Sequence, residues 1–177
     1  MTQRRSFLKS SVVMAALSVP AFARAAAAAP NERTLRLYNT HTGETLKSVF
    51  WAEGQFVPDA LSDINKLLRD HRNDSISVID PQLLVLLDKV SAQVGSKEVL
   101  HVISGYRSPA SNKMLAERSG GVARHSLHME GKAIDVRMPG HKLADLHKAA
   151  LQARSGGVGY YPDSQFVHLD TGRPRHW

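Results

Sequence analysis

Thr34-Leu35-Arg36-Leu37-Tyr38 alternates apolar and polar positions, and Glu44-Thr45-Leu46-Lys47-Ser48-Val49-Phe50 repeats the pattern. Asn39-Thr40-His41-Thr42-Gly43 lies between them and supplies turn residues, so the two segments predict a β-hairpin. After Pro58-Asp59 the spacing changes: Leu61, Ile64, Leu67 and Leu68 recur at helical intervals. A second helix opens at Asp80-Pro81, carries Leu83, Leu84, Leu86, Leu87, Val90 and Val94, and stops at Gly95. Asp80 occupies the cap position and Pro81 the first helical position, where a missing N–H costs least. The wide apolar face of this helix marks it for the core.

Glu98 to Ile103 is rich in β-formers, and Ser104-Gly105-Tyr106-Arg107-Ser108-Pro109 breaks it, so a loop presents Tyr106 and Arg107. A polar helix is expected over 109–118, ended by Gly120-Gly121, followed by an irregular segment from Arg124 to Gly131. Lys132-Ala133-Ile134-Asp135-Val136-Arg137 alternates like a strand, and Lys142 to Ala153 is amphipathic with helical period. Residues 157–161 and 165–170 form a final strand pair around Pro162-Asp163-Ser164. Helices mixed with short, hairpin-connected strands predict an α+β domain with a largely antiparallel sheet.

The chain has 177 residues, enough for one domain at about 150 residues each. Its first 29 residues read differently from the rest. They hold Arg4, Arg5, Lys9 and Arg24 and no acid, then a mildly apolar run from Val12 to Val19, then small residues around Ala21-Phe22-Ala23. This is the pattern of a removable export signal, and the run is shorter than the roughly 20 apolar residues a membrane span needs. Arg4-Arg5 followed by Phe7-Leu8-Lys9 resembles a bacterial twin-arginine signal, which implies the twin-arginine export machinery as a partner. A periplasmic domain over 30–177, with no membrane anchor left after cleavage, is therefore expected. Removing the signal changes the charge picture as well: the net +7 falls to 19 basic against 16 acidic residues, which is not a nucleic-acid-binding balance. There is no cysteine, so a disulfide framework, a thiolate metal site and a cysteine nucleophile are excluded.

The densest chemical signal is Ser126-Leu127-His128-Met129-Glu130-Gly131-Lys132-Ala133-Ile134-Asp135, in which a loop histidine precedes a strand aspartate by seven residues. Imidazole and carboxylate are what a zinc ion accepts when no thiolate exists, and a catalytic site needs three protein ligands. His168 is the best third candidate. It lies in the apolar run Phe166-Val167-His168-Leu169, where an unpaired imidazole would lose hydration without return.

The pattern Ser126-x-His128-x-x-Gly131-x-Ala133-x-Asp135 resembles the signature of the M15 group of zinc peptidases, which includes D-Ala-D-Ala carboxypeptidases and murein endopeptidases. Residues 35–44, 104–108 and 166–170 are closer still to its exported YcbK-like branch, and the likeness covers nearly the whole mature chain. The resemblance implies a Zn2+ site of His128, Asp135 and His168, the compact fold shared with hedgehog-type domains, and cleavage of peptide cross-links in peptidoglycan stem peptides. It favours an endopeptidase over a carboxypeptidase. A non-catalytic murein-binding domain is the rival from another class.

The same likeness puts Arg107 at the cleft, where its guanidinium suits a peptide carboxylate. Tyr106 and Ser126 are substrate-side candidates, divided between hydrogen bonding at the site and ordinary loop chemistry. One departure stands out. Many M15 enzymes carry a glutamate base three residues before the last ligand, and here that position is Gln165, which cannot take a proton. Asp170 leaves the strand on the same face as His168 and is the first substitute, either as general base or as the acceptor that fixes the His168 tautomer; Asp163 competes for the base role. No specific role is expected of His125. His41, His71, His101, His141 and His147 read as single structural or exposed residues, and His176 as either a tail or a cleft residue.

Overall fold

The computed structural model describes residues 32–95, 98–118 and 123–177. The export signal over 1–29 and the Gly120-Gly121 helix stop lie outside the described residues. No described helix is long and apolar enough to cross a membrane.

The predicted hairpin forms from β1 (Glu32–Asn39) and β2 (Thr45–Ala52), with Leu35 and Leu37 buried and Thr34 and Arg36 exposed, as the alternation requires. A short β3 (Gln55–Phe56) folds back on β2 before α1 (Pro58–Leu67). Helix α2 (Pro81–Val94) starts where expected: the Asp80 side chain accepts from the Gln82 N–H at 2.9 Å, and Gly95 ends it at φ +77°. Then come β4 (Leu100–Ser104), α3 (Pro109–Arg118), a 3-10 turn at Leu127–Glu130, β5 (Ala133–Arg137) and α4 (Leu143–Ala153). The chain finishes with β6 (Gly157–Tyr161), β7 (Phe166–Asp170) and β8 (Arg175–His176).

All eight strands join one sheet in the order β3-β2-β1-β4-β5-β7-β6-β8. The pairs β1–β4 and β6–β8 are parallel and the rest are antiparallel, so the α+β expectation with a mostly antiparallel sheet holds. Sequence periodicity missed β3 and β8, which are too short for alternation to register, and read the 3-10 turn as irregular chain.

Helices α1, α2 and α4 cover one sheet face. The core there runs from Leu35, Leu37 and Phe50 through Leu83, Leu87 and Leu146 to Val136, Val167 and Leu169. Alternation turns Asp135, Arg137 and His168 to the opposite face, and the register pairs Asp135 with His168 and Arg137 with His101. The predicted ligands Asp135 and His168 therefore lie on the sheet face opposite α1, α2 and α4.

Candidate metal centre

His128 sits in the 3-10 turn, whose entry is capped by Ser126: the serine side chain accepts from the His128 N–H and its carbonyl accepts from Met129. Gly131 ends the turn at φ +67°, and a Cβ there would run into the Val78 carbonyl, so glycine is required on both counts. The turn thus delivers a buried His128 ring beside the strand carrying Asp135. His128 Nδ1 is 2.8 Å from the Gly105 carbonyl. A carbonyl only accepts, so Nδ1 carries the proton, and the bare Nε2 faces Asp135 at 3.4 Å.

His168 approaches the same carboxylate from β7, with Nδ1 at 2.8 Å from one oxygen of Asp135. Its Nε2 is 3.1 Å from Asp170. Asp170 is fully buried and accepts from the backbone N–H of Gly157 and Gly172, both at 2.9 Å, and from both terminal nitrogens of Arg175, at 3.1 and 2.7 Å. With His168 this makes five donors on two oxygens, which fills the acceptor capacity of a carboxylate. Burial opposes ionisation of Asp170, but His168, Arg175 and the two backbone N–H groups outweigh it and hold the carboxyl far below the usual range. Asp135 is held low in the same way, burial being overcome by His128 and His168. Burial lowers the His168 pKa, yet its bonds to the two aspartates prevail and raise it.

One donor atom from each of His128, Asp135 and His168 lies within 4.8 Å of the other two. Two neutral imidazoles and one carboxylate suit a divalent ion such as zinc, and each histidine has its outward nitrogen committed elsewhere, which leaves Nε2 of His128 and Nδ1 of His168 facing inward. The residues fit a metal.

Arg107 follows β4 on a loop stitched to the segment after α1. Tyr106 N–H donates to Leu68 O at 2.8 Å, the Ser108 N–H donates to buried Asp70 at 2.9 Å, and Asn73 donates to the Ser108 hydroxyl. The guanidinium donates to Asn112 and Ser104, at 3.3 and 3.4 Å, while its Nε is buried with no partner among the described residues. Burial lowers its pKa and nearby Asp135 pulls the other way. Tyr106 is half-buried against the core. Gln165 and Asp163 are exposed on the β6–β7 turn, and the Gln165 amide folds back onto the Pro162 carbonyl.

Three contributors escaped the sequence reading. Arg175 holds Asp170. Trp177 places its ring 5.3 Å from that of His168 and donates its indole N–H to Tyr161 at 2.7 Å, so the C-terminus walls the centre. Asn112, also buried, receives Arg107 and donates to the carbonyls of Ala123 and Arg124. No motif announces these residues; only the pairing of β8 with β6 brings the C-terminal ones in. His41 and His71, expected singly, stack on each other with centroids 3.8 Å apart.

A family profile described as peptidoglycan L,D-endopeptidase MepK, of the M15 peptidases, matches residues 27–177. Peptidoglycan L,D-endopeptidase MepK of Escherichia coli K12 is 41% identical over 175 residues, covering 99% of this chain and 96% of that protein. The protein of the same name from Shigella flexneri matches equally well. The probable peptidoglycan L,D-endopeptidase MepK of Haemophilus influenzae is 40% identical over 149 residues, covering 84% of this chain and 80% of its own length. No solved structure matches. On the strength of a profile and relatives spanning nearly its whole length, the chain belongs to the MepK family of M15 peptidases.

Proposed function

We propose that this protein is an exported, zinc-dependent peptidoglycan endopeptidase that opens peptide cross-links. The observation that carries the reading is the convergence of His128, Asp135 and His168 on one point of the sheet face opposite α1, α2 and α4, in a chain of this family. The L,D designation of the relatives favours the 3–3 link, an amide from the L-centre of one diaminopimelate to the D-centre of the next, over the 4–3 link that starts from D-Ala. The domain then shares its architecture with hedgehog-type domains, as the M15 likeness implies.

A zinc ion held by the three ligands would supply Lewis acidity toward the scissile carbonyl and lower the pKa of a water molecule to about 7. The protein's own groups do the rest. Gly105 O and Asp170 engage the outward ring nitrogens, which directs Nε2 of His128 and Nδ1 of His168 inward, and the proton that His168 Nδ1 shares with Asp135 has to leave for the ion to bind. Arg107, on its braced loop, orients a stem-peptide carboxylate, with Tyr106 beside it. Ser126 acts through the His128 turn that it caps. Of the two roles open to Asp170, the five donors around it support the positioning one, because a carboxylate so occupied and so acidic is a poor proton acceptor. The exposed Asp163 stays the competing base.

The test is digestion of purified cross-linked muropeptides with and without chelator. New monomers that disappear on chelation are expected. Release of terminal D-Ala alone would make the protein a carboxypeptidase, and binding without turnover would make it a murein-binding domain. Export through the twin-arginine route rests on Arg4 and Arg5: changing both to lysine should strand the precursor in the cytoplasm.

A further inference from the structure

A cavity of about 330 Å³ opens where β5 leaves the sheet toward α4. Arg137, Lys142, His101 and His141 line it, together with Gln165 and the apolar Leu146, and no carboxylate does. The acid in the first turn of α4, Asp145, is exposed and outside the lining. None of the ion pairs among the described residues involves Arg137 or Lys142. His101 Nδ1 is buried with no hydrogen-bond partner among the described residues. Burial and the Arg137 charge both lower the His101 pKa, in keeping with an uncompensated positive field. Two cations, two imidazoles and no counter-charge around one cavity describe a place for an anion.

Its position says which anion. Arg137 lies two residues beyond Asp135 on the same face of β5, about 7 Å along the strand. Strand β4 runs from His101, opposite Arg137, past Ser104, opposite Asp135, to the Arg107 loop. The cavity and Arg107 therefore flank the metal centre. An extended peptide has nearly the same rise per residue as β5, so a substrate lying along this face with its scissile amide at the centre sets a neighbouring residue over the cavity.

We infer that this cavity is a second carboxylate subsite, taking a free carboxylate one residue from the scissile amide on the side away from Arg107. The inference rests on the endopeptidase reading for its substrate, though not for its anion chemistry. Arg137 and Lys142 donate charge-assisted hydrogen bonds to the carboxylate, with His101 and His141 lining the cavity beside them.

Two cross-linked muropeptides that differ only in whether that carboxylate is free or amidated give the test. Losing charge-assisted bonds should raise KM for the amidated substrate about tenfold or more in the wild type, with kcat changed far less. In the double variant Arg137→Ala/Lys142→Ala, both substrates should show the KM of the amidated one, with zinc content unaltered. Equal KM values for the two substrates in the wild type, or a preference retained by the double variant, overturns the subsite. If neither substrate is cleaved, the endopeptidase reading fails and the cavity is decided by acetate titration, followed through the imidazole resonances of His101 and His141. Saturable shifts that vanish in the double variant support it, and their absence in the wild type overturns it.

Discussion

His128 and His168 approach the same carboxylate from unlike parts of the fold. His128 rides on a 3-10 turn and leans on a backbone carbonyl, that of Gly105. His168 belongs to a central strand and leans on Asp170, which Arg175 and two backbone N–H groups hold in turn. The contrast reaches down to the ring: Nδ1 faces outward in His128 and inward in His168. A backbone support is fixed by the course of the chain and cannot be deleted by changing a side chain. A side-chain support can be removed one atom at a time. The two halves of the centre should therefore fail differently, the His168 half chemically and the His128 half through its loop.

The largest effect comes from removing the rings themselves. His128→Ala and His168→Ala should each take zinc from about one per chain to near none and abolish turnover, since two ligands do not make a catalytic zinc site. Metal analysis after dialysis checks this, and stoichiometric zinc in His168→Ala would show that the centre is wrongly drawn. The ligands must be unprotonated to bind, so zinc should also be shed as pH falls.

Next in size is the side-chain support. Asp170→Asn, which keeps the shape and loses the charge, should weaken zinc binding about 10- to 100-fold, the usual cost of losing a partner behind a metal-bound histidine. Arg175→Ala should lean the same way by less. A base role for Asp170 predicts something else: turnover down about 10²-fold with zinc affinity unchanged. Competition with a zinc-binding dye, run beside turnover, separates the two.

The Arg107 side chain touches neither histidine, and its backbone N–H, which donates to His128 O at 3.1 Å, survives in Arg107→Ala, so zinc affinity should stay the same. Loss of its carboxylate contact should cost about 1.5–3 kcal/mol of substrate interaction. Lysine should recover only part, lacking the planar fork. Wild-type kinetics in Arg107→Ala would remove it from the cleft.

Most of the fold, and the pairing of His128 with Asp135 in the candidate site, were legible because both rest on local spacing, whereas His168, 33 residues beyond Asp135, stood out only by its apolar strand and the family resemblance. Alternation in β1 and β5, the Asp80-Pro81 helix start, and a histidine and an aspartate seven apart are all visible within a dozen residues. What escaped depends on closure over long distances. Arg175 and Trp177 matter only because a two-residue strand, too short to show a period, pairs in parallel with β6. The arrest of Asp170 by five donors is equally invisible in sequence, where its spacing from His168 fits a base as well as a support.

The smallest predicted effect tests the His128 half through its loop. Gly105 and Arg107 belong to a segment pinned by Asp70, a fully buried carboxylate that accepts from the Ser108 and Arg72 N–H groups. Burial raises the Asp70 pKa, but hydrogen bonds from Ser111 and Ser108 more than offset it, so the folded-state value lies below the ordinary 3.8. A depressed carboxyl stabilises the fold at pH values above its unfolded pKa, and that contribution is lost as pH falls through the folded value. Asp70→Asn should therefore lower neutral-pH stability by about 1–3 kcal/mol, the cost of leaving buried donors poorly paired, and should flatten the acid limb of the stability curve. Through the loosened loop it should weaken zinc binding by less than Asp170→Asn does, because the Gly105 carbonyl shifts while the His168 support stays whole. Urea melts at pH 7 and pH 3, with zinc affinity at pH 7, check this. A loss of zinc as large as that of Asp170→Asn would mean that the two halves are coupled, and that the backbone support of His128 is no sturdier than the side-chain support of His168.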